Sequence, residues 1–113
     1  MPTLVIHAAA WAVREGRTSF DQIVESRIGD GYAISRTRYP ELWANDGRVP
    51  LGWTVAVLDK AHKRRAEGRL RDIVADGVTR NGRRRYNVHT GVFHKVDYRP
   101  QSLDRCGVTV VHP

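Results

Sequence analysis

Residues 53–75, "WTVAVLDKAHKRRAEGRLRDIVA", decide the fold class. The first seven positions, WTVAVLD (53–59), are β-branched and apolar enough for a strand. KAHK (60–63) is a polar break and reads as a turn. RRAEGRLRDIVA (64–75) then alternates, with Ala66, Gly68, Leu70 and Val74 on one face and Arg65, Glu67, Arg69 and Arg71 on the other. A period of two places these residues in a strand, so the stretch is read as two strands joined by a turn.

The same pattern continues downstream. Asn81-Gly82 is a strong hairpin signal, because a type I′ turn needs positive φ at both central positions. It leads into RRRYNVH (83–89), where Tyr86 and Val88 point one way and Arg83, Arg85 and Asn87 the other. GVFHKVDY (91–98) and GVTVV (107–111) complete six or seven strands, at spacings expected of an all-β barrel or sandwich. Upstream, TLVIHA (3–8) suits a central strand. TSFDQIVESRI (18–28) reads as a helix, with Thr18 or Ser19 as its cap and Asp21 at its positive end. Phe20, Ile23, Val24 and Arg27 or Ile28 form its stripe. Gly29-Asp30-Gly31 is expected to stop it, and YAIS (32–35) to follow as a short strand. The expected architecture is mainly β with one or two short helices (α+β), a small barrel with a helix covering one end.

Composition sets the bounds. A chain of 113 residues suits a single domain, 1–113. Hydrophobic residues at 41% and charged residues at 27% are ordinary for a folded protein. The charge balance is not ordinary: 19 Lys and Arg face 12 Asp and Glu, giving +7 and a pI near 10.3. That excess favours a polyanionic partner, nucleic acid first. The lone Cys106 excludes an internal disulfide and suits a reducing cytoplasm. No apolar run approaches the ~20 residues of a membrane helix, so no membrane partner is expected. The opening MPTLVIHAAAWAVREG has no basic region ahead of its apolar stretch and is expected to be a buried strand, not a signal peptide.

Two regions carry candidate chemistry. Ten of the nineteen basic residues lie between Lys60 and Arg85, offset by Glu67, Asp72 and Asp76. If the two strands pair, Arg65, Arg69, Arg71, Arg83 and Arg85 share the outer face of one ribbon. With Arg84, that ribbon can hold phosphates. The bland alternative is a solvated or charge-protected strand edge. The second region is SRTRYPELW (35–43), followed by Trp53. Trp11, Tyr32, Tyr39, Trp43 and Trp53 are too many large rings for a barrel interior of aliphatic residues. They are core or lid on one reading and a base-stacking pocket on the other. Ser35, Arg36 and Arg38 would read the base edge or grip the adjacent phosphate, and Pro40 would stiffen the loop. The histidines show no metal-ligand spacing: His89 and His94 fall on opposite faces of a regular strand, and His7, His62 and His112 stand apart. No metal or cofactor is expected. His62 lies near Asp59 and Lys60, but no second carboxylate or nucleophile has recognisable spacing.

TLVIHAAAW, SFDQIVESRI, PLGWTVAVLDK and RRAEGRLRDIV together resemble, over nearly the whole chain, the PUA-like superfamily that contains the PUA, ASCH, EVE and YTH domains. The resemblance implies RNA or DNA binding. It also implies a modified base held in an aromatic cage beside the first strand and helix, for which Trp11, Tyr32, Ser35, Trp43 and Trp53 are the candidates by position. The expected function is a monomeric, non-enzymatic nucleic-acid-binding domain with a base pocket and phosphate contacts from a basic β-ribbon. The alternative is an ASCH-like ribonuclease using Lys60, His62 or Arg36.

Overall fold

The computed structural model describes residues 2–8, 20–43, 50, 52–78, 82 and 84–113, and the structural statements below concern those residues. β1 (Thr3–His7) is the strand around which the others are arranged. Leu4, Val5 and Ile6 are each fully buried, because β1 has a neighbour on both edges and cover on both faces. Its partners are β3 (Thr54–Asp59), which runs parallel from Thr3↔Thr54 to His7↔Leu58, and β7 (Val108–Val111), which runs antiparallel. A near-continuous apolar run is what such a position demands.

β3 turns through residues 60–63 into β4 (Arg64–Val78), a 15-residue strand, as the alternation in 64–75 predicts. The first part of β4 pairs with β3 on one edge and with β6 (His94–Val96) on the other. From Leu70 onward its partner is β5 (Arg84–Thr90). β5 also pairs with β2 (Ile28–Tyr32). The resulting order is β2-β5-β4-β3-β1-β7, with β6 off this path, and the pairing does not close the sheet. Among the described residues the fold is mostly β with one α-helix, of the α+β class.

Two bulges interrupt the β4–β5 pairing, between Leu70 and Asp72 and between Ala75 and Val78. The first shifts the side-chain phase. Ile73 takes the place among the partly buried residues that the alternation assigned to Val74, and Val74 is 42% exposed. One extra residue in a strand exchanges the two faces beyond it.

The helix α1 (Phe20–Ser26) is seven residues long, too short to persist on its own. It is held by Phe20 and Ile23, both essentially buried in the main core, each contributing roughly 1.5–3 kcal/mol. Its proposed caps, Thr18 and Ser19, lie outside the described residues. Glycine does not terminate it. Arg27 takes the left-handed conformation (φ 63°), and its N–H donates to Ile23 O at 2.8 Å. Gly29, Asp30 and Gly31 belong to β2, which starts four residues before the expected strand at Tyr32. Gly29 has a different reason to be small: a Cβ there would stand 2.7 Å from Ile6 Cδ1. Of the proposed hairpin turn, Asn81 lies outside the described residues and Gly82 has φ 76°.

There are two cores. The larger joins Leu4, Ile6, Val55, Val57 and Val88 to α1 and to Ile34, Tyr39, Leu42 and Trp53. The smaller is on the opposite sheet face, where Val5, Ala56 and Leu58 meet Tyr98, Leu103 and Val111. Arg65 pairs with Leu58 in register and so shares this second face. It is 5% exposed, with Nε donating to Glu67 Oε2 at 2.9 Å. This corrects the expectation that Arg65 stands on an open outer face. No helix among the described residues is long and apolar enough to cross a membrane.

Candidate functional site

The loop that follows β2 and the loop that precedes β7 approach each other over one end of β5. Between them is a groove of about 710 Å³, lined by Ser35, Arg36, Arg38, Arg84, Tyr86 and Arg105, with Ala33, Ile34, Asp104 and Cys106 completing the wall. That volume is typical of a small-ligand site.

The residue that builds the groove is Tyr39. It is buried, and its hydroxyl lies 2.8 Å from Asp104 Oδ2 and 3.1 Å from Val108 O, within donating distance of both. The other Asp104 oxygen accepts the N–H groups of Cys106 at 2.8 Å and Val108 at 3.1 Å. One tyrosine therefore ties residues 35–43 to residues 104–108, which are otherwise far apart in the chain. Burial raises the Tyr39 pKa above its ordinary value, and the bond to Asp104 and its charge raise it further. The 35–43 loop is also pinned from within. Ser35 Oγ accepts the Arg38 N–H at 3.0 Å, Ser35 O accepts the Tyr39 N–H at 3.1 Å, and Pro40 opens a 3-10 turn (Pro40–Leu42).

The arginines of this loop sit on aromatic rings. Arg36 Cζ is 4.6 Å from the Trp43 ring centroid, and Arg38 Cζ is 5.9 Å from that of Tyr39. Both are within the range of cation–π attraction. Trp43 leans on Tyr86 with centroids 4.9 Å apart at 47°, and Arg36 Nε points to the Tyr86 hydroxyl at 3.5 Å.

The electrostatics are one-sided. Four arginines line the groove against one carboxylate, Asp104. That carboxylate already accepts bonds at both oxygens. None of Arg36, Arg38, Arg84 and Arg105 forms an ion pair among the described residues. An anion entering this groove meets guanidinium groups that have not been neutralised.

Of the residues proposed from the sequence, Ser35, Arg36, Arg38 and Arg84 are brought together here. Trp43 does not line the groove; it stands behind Tyr86 and under Arg36, half-buried, with its Nε1 buried and without a hydrogen-bond partner among the described residues. Trp53 is 5% exposed and belongs to the main core. Tyr32 packs beside that core and donates its hydroxyl to His7 O at 3.1 Å. Trp11 and Arg83 lie outside the described residues. Arg69 and Arg71 are exposed on β4, away from the groove wall. Arg85, between two groove residues on β5, falls on the other face by strand alternation. Its Nε is buried without a hydrogen-bond partner among the described residues. Sequence reasoning missed Arg105 and the groove role of Tyr86. Alternation had correctly turned Tyr86 inward, and that inward side opens onto the groove.

A second polar cluster lies at the β3–β4 turn. Asp59 Oδ2 accepts Arg64 Nη2 at 2.7 Å and Nε at 3.2 Å, and lies 3.0 Å from His62 Nδ1. Asp59 Oδ1 accepts the His62 N–H at 3.2 Å. Burial would raise the Asp59 pKa, but the bonds from Arg64 and His62 outweigh it and hold the carboxyl below its usual range. Arg64 also donates to Asp21 at 3.0 Å and covers Phe20 at 4.6 Å, so the cluster fastens α1 to the turn. Burial, with Lys60 nearby, lowers the pKa of His7. No group of three or more potential metal ligands gathers among the described residues.

No protein-family model matches the chain, and no curated protein or solved structure matches it.

Proposed function

We propose that this chain is a nucleic-acid-binding domain that takes its ligand in the groove between residues 33–38, 104–106 and β5. The observation that carries this reading is the set of four arginines beside Tyr86, facing one carboxylate whose oxygens are already engaged. Phosphates supply the missing negative charge, and a base supplies a flat partner for the rings and guanidinium planes. The base would be a single residue of RNA or DNA, modified or unmodified, with Arg69 and Arg71 on β4 adding longer-range attraction.

A PUA-like relationship belongs to the same proposal. Its support is the sequence resemblance together with a mostly β fold in which α1 packs beside the sheet; the barrel closure of that expectation would have to involve residues outside the pairing described above. A cytoplasmic placement, supported by the single cysteine, and a monomeric state belong to the same proposal. The ribonuclease alternative has less support. His62 and Asp59 are engaged in the turn with Arg64, and neither Lys60 nor His62 lines the groove that holds Arg36.

The test is a titration with RNA and DNA oligonucleotides at two salt concentrations, with polyglutamate as a control polyanion. The proposal expects binding that weakens steeply with salt and exceeds that for polyglutamate. Equal affinity for polyglutamate, or no binding to either nucleic acid, would remove it.

A further inference from the structure

The groove arginines are held in different ways. Arg84 and Arg105 are exposed side chains with no ion-pair partner among the described residues. Arg36 has two supports that, among the described residues, these lack: its Cζ is 4.6 Å from the Trp43 ring centroid, and its Nε is 3.5 Å from the Tyr86 hydroxyl, the outer limit of a hydrogen bond. A phosphate contact does not require an aromatic support. A stacking surface gains from one, because part of the ordering cost of the guanidinium is met before the ligand arrives.

A guanidinium has two faces. The Trp43 ring centroid lies 4.6 Å from the Arg36 Cζ, and Arg36 is exposed and lines the groove, so its side away from the indole is open to a ligand. We propose that this face is the base platform: an unstacked base of a single-stranded nucleic acid lies on the Arg36 guanidinium. Indole, guanidinium and base then form three layers, while Arg84 and Arg105 hold the neighbouring phosphates. The inference rests on the nucleic-acid reading above and specifies its substrate class. A base inside a duplex has both faces covered by its neighbours, so only an unstacked one can be seated this way. Arginine planes serve this purpose in single-stranded recognition generally. The assignment also gives Trp43 a place: it supports the platform from behind and does not touch the base.

The experiment compares wild type with Arg36→Lys, which keeps the charge and removes the plane. The probes are thymidylate and uridylate hexamers and a hexamer of abasic sites carrying the same phosphates. Wild type should bind one of the base-bearing hexamers roughly 5- to 150-fold more tightly than the abasic one. Arg36→Lys should lose that advantage, bind the abasic hexamer as wild type does, and keep the salt slope. Retention of the base preference by Arg36→Lys, or equal weakening toward both kinds of hexamer, overturns the platform. Wild-type binding that ignores the presence of bases also overturns it, yet leaves the nucleic-acid reading in place. Wild-type binding to none of the hexamers sinks that reading, and the platform with it.

Discussion

Arg36 and Arg64 each stand 4.6 Å from the centre of an aromatic ring, Trp43 in one case and Phe20 in the other. The distance to the ring is the same; the charge environment is not. Arg64 meets two carboxylates, Asp59 at 2.7 Å and Asp21 at 3.0 Å, and its positive charge is neutralised within the fold. Among the described residues Arg36 meets no carboxylate, its one polar neighbour being the Tyr86 hydroxyl, and the carboxylate in its groove is bound by Tyr39 and two backbone amides. A cation on a ring is therefore a structural fastener where acids complete it and a candidate binding surface where they do not.

The strongest way to break this contrast is to unfasten the turn. Asp59→Asn removes the carboxylate charge but leaves Arg64 and His62 in place. Because Asp59 is buried and its bonds are charge-assisted, stability should fall by about 2–3 kcal/mol in chemical denaturation. Nucleic-acid affinity at a temperature where the variant remains folded should not change. A loss of affinity with intact folding would mean that the turn belongs to the site.

The same carboxylate sets an acid limit. Its folded-state pKa lies below the unfolded value, so its contribution is present above about pH 4 and is lost as pH falls through the folded value. Wild-type stability should therefore decline on acidification below about pH 4, and Asp59→Asn should flatten that decline. Equal acid sensitivity in both proteins would assign it to other groups.

Tyr39→Phe sharpens the comparison from the other side, since this tyrosine holds the groove walls together. Removing its hydroxyl should cost roughly 1.5–3 kcal/mol, the range for a hydrogen bond to a charged group, and should weaken binding as well. Loss of stability with unchanged affinity would show that the loops keep their shape without the bond. The smallest effect is expected at Arg99→Ala. Arg99 is exposed and paired with Glu67 at 3.3 Å, so its melting temperature should match wild type.

The strands were legible from the sequence because side-chain alternation is a local signal. Residues 53–59 and 64–75 read as strands, and Thr54–Asp59 and Arg64–Val78 are strands. Errors arose where the deciding contact is distant. The glycines at 29 and 31 looked like a helix stop, but Arg27 ends the helix and Gly29 makes room for Ile6, which is 23 positions earlier. The alternation in 64–75 implied an open face for Arg65, whereas the chain near Tyr98 and Leu103 covers the apolar residues of that face. The bulge after Leu70 was invisible because nothing in RLRDIV marks a change of phase. For the groove, SRTRYPELW stood out by composition and does supply Ser35, Arg36 and Arg38. Arg105 did not stand out. It joins them through long-range contacts such as the Tyr39–Asp104 bond, which spans 65 positions.

On the proposed reading, unneutralised arginines make the site and neutralised ones do not. The most direct test is the salt dependence of single-stranded oligonucleotide binding in Arg84→Ala/Arg105→Ala and in Arg64→Ala, each measured where the protein is folded. Losing two phosphate contacts should lower the slope of log affinity against log salt by about 1.4 in the double variant, and Arg64→Ala should keep the wild-type slope. An unchanged slope in the double variant, or an equal drop in both, would contradict the account.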